Sequence, residues 1–385
     1  MRFAIDAHAI GRHLTGNEVY VRSLLNALAA QGQNHEFVAY VSTESAPGFI
    51  PGRVRTRQIS GNPYLRLGLD LAMRLRQDRP DLLHVQYTAP LVCPSPVVVS
   101  VHDVSFLEHP EYFPPGRARQ LQWSVSRTIQ RAAKILTGTE FSKASILKAY
   151  LDLEEDKVVV VPNAAAPAFR PISREAAAAV VRERFSIRQP FILSVGDLQP
   201  RKNQIGLIRA FARLTGAYPQ LQHTLVLAGK DTWFASRVRK AARESGVADR
   251  IHLIGFVSDE DLLPLYNACE VFAFPSYYEG FGLPVLEAMA CGRAVVCSKI
   301  TALLEVVDSA AILFDPYIED EMARAIADLL LDGQLRARME RLGLQRAAHF
   351  SWQKTAEQTL EVFCGVAQKL PGARMPVGSA SMIRR

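Results

Sequence analysis

The chain has 385 residues, of which 49% are apolar and 22% charged, with 23 glycines and 22 prolines, a globular composition that excludes disorder, collagen-like repeats and coiled coil for its bulk. No run approaches the roughly 18–20 apolar residues that cross a bilayer, and Arg2, Asp6 and His8 rule out an apolar signal core at the N-terminus. The net charge of +7 is spread evenly, with 19 basic and 15 acidic residues in 1–170 against 26 and 23 in 171–385, so no nucleic-acid partner is expected.

Short apolar runs alternate with helical patterns from the start. Phe3–Ala7 reads as a buried strand, and a loop with Gly11 and Gly16 leads to a helix over Asn17–Ala30. Further strands are predicted at Glu36–Val41, Leu82–Val85, Val97–Val101, Lys134–Leu136 and Val158–Val161. Between them, Pro114–Lys134 carries five cations and no acid, interleaved with Leu121, Trp123, Val125 and Ile129. This amphipathic pattern fits a solvated basic face, and it also fits a helix resting on an anionic membrane surface. After Pro162 come a Pro/Ala-rich linker and an Ala-rich helix, Arg174 to about Arg184. The alternation then restarts. Strands are predicted at Phe191–Val195, Thr224–Ala228, Ile251–Gly255, Val271–Phe274, Ala294–Cys297 and Ala311–Phe314, with helices at Gln204–Leu214, Trp233–Ser245 and Asp259–Ala268.

Strand–helix alternation calls for right-handed crossovers and parallel sheets covered on both faces. Two consecutive doubly wound units are therefore expected, with the ligand site in the cleft between them, beyond the carboxyl ends of the strands. Trp352, Ala356, Leu360, Phe363 and Ala367 give the last helix one apolar face to dock. Beyond Lys369 little remains to bury, and 370–385 reads as a disordered tail. Five scattered cysteines without a C-x-x-C pair argue against disulfides or zinc and for a reducing cytosol.

The densest chemical signal is Pro275–Gly292, PSYYEGFGLPVLEAMACG. Gly280, Gly282 and Pro284 place Glu279 in a loop at a strand's carboxyl end and Glu287 about one turn into the helix that follows. Glycines there admit close approach of a ligand, and a helix start attracts an anion. The helix dipole is expected to keep Glu287 ionised. A phosphate flanked by sugar hydroxyls satisfies the whole arrangement. Asp259-Glu-Asp261 matches a metal-binding D-x-D, but Ser258 before it reads better as a helix cap. His8, His13 and His84 are expected at strand ends facing the cleft.

This stretch resembles the Glu-x7-Glu motif of retaining glycosyltransferases of family 4, which have the two-domain GT-B fold. Val195–Asn203 (VGDLQPRKN) resembles the family's phosphate loop, and Val101-His-Asp103 with Phe106–Phe113 its acceptor-side His loop. Val161–Asn163, Leu227–Lys230, Leu253–Leu262 and Phe350–Trp352 follow in the family's order. The resemblance implies an α/β GT-B architecture: an acceptor-side Rossmann-like domain at 1–168, a linker and helix at 169–190, a nucleotide-sugar domain at 191–350, and a C-terminal helix at 351–369 docking back. It implies that Glu279 binds donor-sugar hydroxyls and Glu287 the ribose. Amides of Gly280, Phe281, Gly282 and Leu283 would hold the sugar and distal phosphate, with Gly16 contributing from the other domain. Lys202 and Arg201 would neutralise the leaving diphosphate, and His102 would lie near the anomeric centre and the acceptor.

The reaction so implied is transfer of a hexose from a nucleotide diphosphate sugar to a glycan or lipid-linked acceptor, without metal or other cofactor, at a cytoplasmic location with optional contact to the inner membrane face through 114–134. The phosphate-loop type favours mannose from GDP-mannose. A UDP-sugar glucosyl- or N-acetylglucosaminyltransferase, a sugar epimerase on the same fold and a catalytically silent nucleotide-sugar-binding subunit are the alternatives. Two positions depart from the family pattern: Asp197 stands where many relatives place Arg, and Ala164 follows Asn163 in place of the common Gly.

Overall fold

Strands form where Val, Ile, Leu and Phe can be covered on both faces. A computed structural model describes residues 1–12, 15–32 and 34–369. His13 and the 370–385 tail lie outside the described residues. In the first unit the strands are β1 (Arg2–Asp6), β2 (Glu36–Val41), β3 (Arg55–Gln58), β4 (Leu82–Gln86), β5 (Val97–Ser100), β6 (Lys134–Thr137) and β7 (Val158–Val160). They pair in parallel in the order β3-β2-β1-β4-β5-β6-β7. The second unit holds β8 (Phe191–Val195), β9 (Thr224–Ala228), β10 (Ile251–Gly255), β11 (Val271–Phe274), β12 (Ala294–Ser298) and β13 (Ile312–Phe314). Their order is β10-β9-β8-β11-β12-β13, again parallel.

Both orders reverse direction beside the first strand of the unit, at β1/β4 and at β8/β11. A crevice opens outside the carboxyl ends of the strands at each such point. The loops after β1, β4 and β5 and those after β8, β10 and β11 converge there and line one cleft of about 830 Å3 between the units.

The edge strand β3 carries no apolar pattern, since its residues Arg-Thr-Arg-Gln are exposed or half-buried, so periodicity misses it. Residues 63–78 are also absent from the predicted elements: their apolar residues alternate from Leu65 to Leu75 with the period of a strand, yet a one-turn helix Pro63–Leu65 passes through a π-wound segment Arg66–Asp70 into a helix Leu71–Asp78. The final helix Trp352–Gln368 packs on the first unit, as its apolar face requires: Phe363 lies against Phe3 and His84, and Trp352 against Tyr20. The two units also touch directly. Both oxygens of Glu305, on helix Thr301–Val307, accept the Glu140 and Phe141 amides at 2.8 and 2.7 Å and so cap helix Glu140–Ala149 of the first unit. Arg22 pairs with Asp259 across the same boundary.

Candidate active site

Beyond β11 the chain cannot remain extended, because Gly280, Gly282 (φ +96°) and Pro284 break the pattern, and helix Leu283–Ala290 starts at Leu283. Glu279 is thereby held in the loop and Glu287 on the helix, and both are buried, at 6% exposure, in the wall of the cleft. Gly280 is glycine because of packing. A Cβ there would lie 2.0 Å from the His102 carbonyl oxygen. Its own carbonyl accepts Thr139 Oγ1 and Ser142 Oγ at 2.9 and 3.1 Å, and Ser142 Oγ also lies 3.1 Å from the His102 oxygen. The loop after β11 is thus seated on the His102 loop of the other unit. Phe281 turns its ring away into an apolar cluster with Leu286, Val306 and Phe350.

The turn Pro200–Lys202 after β8 brings two cations to Glu279. Arg201 donates to Glu279 Oε2 at 2.9 Å and to the Tyr278 carbonyl at 2.8 Å, and Lys202 Nζ donates to Glu279 Oε1 at 2.5 Å. Lys202 also lies over the Phe274 ring, 4.8 Å from its centroid. Burial opposes the Glu279 charge, but Arg201 and Lys202 hold its carboxyl below the usual range. Burial works against Arg201 too, and Glu279 with Asp103 overrides it, so the guanidinium is held protonated. At Lys202 burial prevails over the Glu279 attraction and lowers the ammonium pKa. Taken alone, one carboxylate against two cations gives the trio a surplus positive charge, with Asp103 acting on Arg201 and Asp197 on Lys202 from its edge.

Glu287 behaves in the opposite way. It lies beyond the first helical turn and is enclosed, so burial pushes its pKa up to about 7 despite the hydrogen bond that Tyr266 Oη donates at 2.8 Å. The expectation that the dipole keeps it ionised is corrected here: loss of hydration outweighs a terminal dipole that fades within one turn.

His102, following β5, lines the cleft with Gln86, which donates to the Asn17 carbonyl through its amide nitrogen and offers Oε1 to His102 Nε2 at 3.0 Å. That orientation makes Nε2 the protonated nitrogen and leaves Nδ1 as the basic one. Burial lowers the His102 pKa to about 4, and Tyr20 and Tyr87 contact its ring edge-on. Gln86 and Tyr87 carried no sequence signal, being one strand end among several, although Tyr87 holds a left-handed φ of +59°.

Gly16 lines the cleft as expected, but as the second residue of helix Thr15–Gln31 and not in the loop ahead of it. His8 is at the cleft wall, paired with Asp6 at 2.9 Å. His84 is not: it sits within β4, 1% exposed, with Nε2 2.8 Å from Ser100 Oγ, because side chains of a covered parallel strand point into the core. The D-x-D triplet opens a helix, with the Asp261 amide donating to Ser258 Oγ, Asp259 paired with Arg22 and Asp261 with Arg184. Among the described residues no group of three or more His, Cys, Asp or Glu is placed to hold a metal ion, and no helix is long and apolar enough to cross a membrane.

Comparison with known proteins shows the family. The family described as Glycosyltransferase Family 4 matches residues 14–169, and Glycosyl transferases group 1 matches residues 181–346. O-antigen chain mannosyltransferase B of Escherichia coli is 34% identical over 266 residues, covering 69% of this chain and 69% of that protein. Serotype-specific mannosyltransferase WbdA of Escherichia coli is 31% identical over 71% of this chain, which spans only 34% of WbdA. Sucrose-phosphate synthase from Thermosynechococcus elongatus superposes with a TM-score of 0.77 at 20% identity, covering 95% of this chain and 99% of that one. Anabaena HepE in complex with UDP-glucose gives 0.76 at 20% identity, covering 94% and 99%. With both units matched and the cleft assembled between them, the chain belongs to the family 4 glycosyltransferases of GT-B fold.

Proposed function

We propose that the protein moves mannose from GDP-mannose to a glycan or lipid-linked acceptor, retaining the anomeric configuration and using no metal. The carrying observation is the buried Arg201–Glu279–Lys202 trio in the interdomain cleft. Its two buried, fixed cations suit a diphosphate that gains charge as the glycosidic bond breaks, and a water-poor site makes that stabilisation strong.

In this reading Glu279, whose four lone-pair sites exceed its two cation contacts, accepts donor-sugar hydroxyls. Glu287 accepts the ribose hydroxyls. Amides of Gly280, Phe281, Gly282 and Leu283, at a helix start without a side-chain cap, meet the sugar and distal phosphate, with Gly16 approaching from the other unit. His102, neutral and oriented by Gln86, faces the anomeric region and the acceptor. Residues 1–168 form the acceptor side and 191–350 the donor side, joined by 169–190, with 351–369 docking back. Five free cysteines support a cytosolic place. The choice of mannose rests on the Escherichia coli relatives, which are named as mannosyltransferases.

Thermal-shift titration with GDP-, UDP- and ADP-sugars, followed by NMR of the product's anomeric coupling, tests this. Stabilisation by GDP-mannose and an α-linked product formed in excess chelator are expected. Stabilisation by UDP-sugars alone would replace the donor, an inverted product would overturn retention, and arrest by chelator would overturn metal independence.

A second reading, contact with an anionic membrane, is favoured by one feature. Helix Arg117–Arg131 exposes Trp123 at 63%, and the neighbouring surface exposes Tyr64 and Val92 at 77% and 52%. Arg127 is partly structural, since it donates to the carbonyls of Pro90 and Leu91. The test therefore uses Trp123→Glu with Arg131→Glu. Flotation with phosphatidylglycerol vesicles should fall several-fold, and unchanged flotation leaves a solvated face.

A further inference from the structure

We infer that Arg66 anchors an anion subsite for the acceptor, so that the natural acceptor carries a phosphate or carboxylate group. The inference deepens the reading above, in which residues 1–168 receive the acceptor. Arg66 opens the π-wound segment Arg66–Asp70, whose wide turn closes with the Leu71 amide on the Arg66 carbonyl. Such single wide turns re-aim a side chain and recur at functional sites. Arg66 lines the cleft while only 6% exposed, and its guanidinium Nε is buried with no hydrogen-bond partner among the described residues. A buried cation so weakly satisfied is costly unless something is bound there.

The surrounding charge calls for an anion. Asp6 is the carboxylate whose charge acts on Arg66, and its Oδ1 already accepts the His8 amide at 3.1 Å and pairs with the His8 ring at 2.9 Å. Arg12 adds a second positive charge to the same surroundings. A guanidinium's planar fork matches the paired oxygens of a phosphate or carboxylate.

The subsite lies on the acceptor-side unit: Arg201 and Lys202 follow β8 in the other unit, whereas Arg66 follows the edge strand β3, with the charge of Asp6 at the end of β1 acting on it. His102 follows β5, two strand spacings or about 10 Å from β1. An acceptor whose hydroxyl is attacked near His102 thus reaches Arg66 with a charged group a short distance along its own chain.

The test is calorimetric titration of the full chain, with GDP or UDP present at saturation, by N-acetylglucosamine 1-phosphate, dodecyl phosphate, glucuronate and neutral N-acetylglucosamine. At least one charged probe should bind tenfold or more tightly than the neutral sugar. Arg66→Gln should erase that advantage and leave nucleotide affinity within twofold. The preferred probe tells a sugar phosphate from a lipid phosphate or a uronate. Charged probes that bind Arg66→Gln as they bind the wild type would overturn the inference. A tenfold loss of GDP or UDP affinity would also overturn it by assigning Arg66 to the donor. Should Arg66→Gln not fold, Arg66→Lys keeps the charge without the fork and should lose part of the probe affinity; no loss overturns the subsite. If neither nucleotide binds, the donor reading of Lys202 and Glu287 fails, while the same titration without nucleotide still reads Arg66.

Discussion

Lys202→Met is expected to lower kcat by about 10²–10³-fold, the usual cost of removing one charge stabiliser from a water-poor site, while the fold survives. Removing Lys202 leaves Glu279 paired with Arg201 at 2.9 Å, a neutral buried pair in place of a positive trio. Nothing buried is then left uncompensated. Steady-state kinetics with the nucleotide sugar that stabilises the protein, alongside thermal unfolding, checks both halves. A kcat within threefold of wild type would remove Lys202 from the reacting centre. Glu279→Ala behaves differently, since two adjacent buried cations lose their counter-charge, and breaking a buried pair from one side costs about 3–5 kcal/mol. Loss of activity in that variant is accompanied by loss of stability, which is why Lys202 is the cleaner probe.

Glu287 is expected to make nucleotide affinity and fold stability depend on pH in opposite directions. Burial pushes its carboxyl up to about 7 in the fold from the ordinary 4.5. Below pH 4.5 both states are protonated and its stabilising contribution is complete. Between about pH 4.5 and 7 the unfolded chain releases a proton that the folded chain keeps, so stability falls by about 3 kcal/mol and then levels off. If Glu287 holds the ribose as proposed, its diol donates to the ionised form, and GDP affinity is expected to rise up to about tenfold from pH 6 to 8, with a proton released on binding at the lower pH. Calorimetry in buffers of different ionisation enthalpy measures that proton. Glu287→Gln should flatten both profiles and weaken GDP at pH 8, whereas a variant retaining the wild-type pH dependence would assign the titration to another group.

The sign of that titration shows how far sequence reading reached. The Gly-x-Gly-x-Pro spacing places Glu287 on a helix and Glu279 in a loop, and the helix does run Leu283–Ala290. Whether Glu287 is charged depends on what covers it, and the cover comes from Tyr266, twenty-one positions earlier. His102 is similar. Its place after β5 was legible, but its tautomer is dictated by Gln86 and its low pKa by Tyr20 and Tyr87 packed on its ring.

By itself the sequence determined the two parallel sheets, most strand positions and the loops that carry Lys202, Arg201 and Glu279, because apolar period, glycine and proline act over a few residues. Local rules could not see β3, whose residues follow no apolar rhythm, or the π-wound turn at Arg66, where Leu65, Leu67, Leu69, Leu71, Met73 and Leu75 alternate with the period of a strand and not of a helix. Only the tertiary structure decided that Gly280 rests on the His102 carbonyl, that Glu305 caps a helix of the other unit, and which buried groups keep their charge. Those are matters of desolvation and close approach between segments far apart in the chain, and pairings of that kind leave no mark on either segment alone.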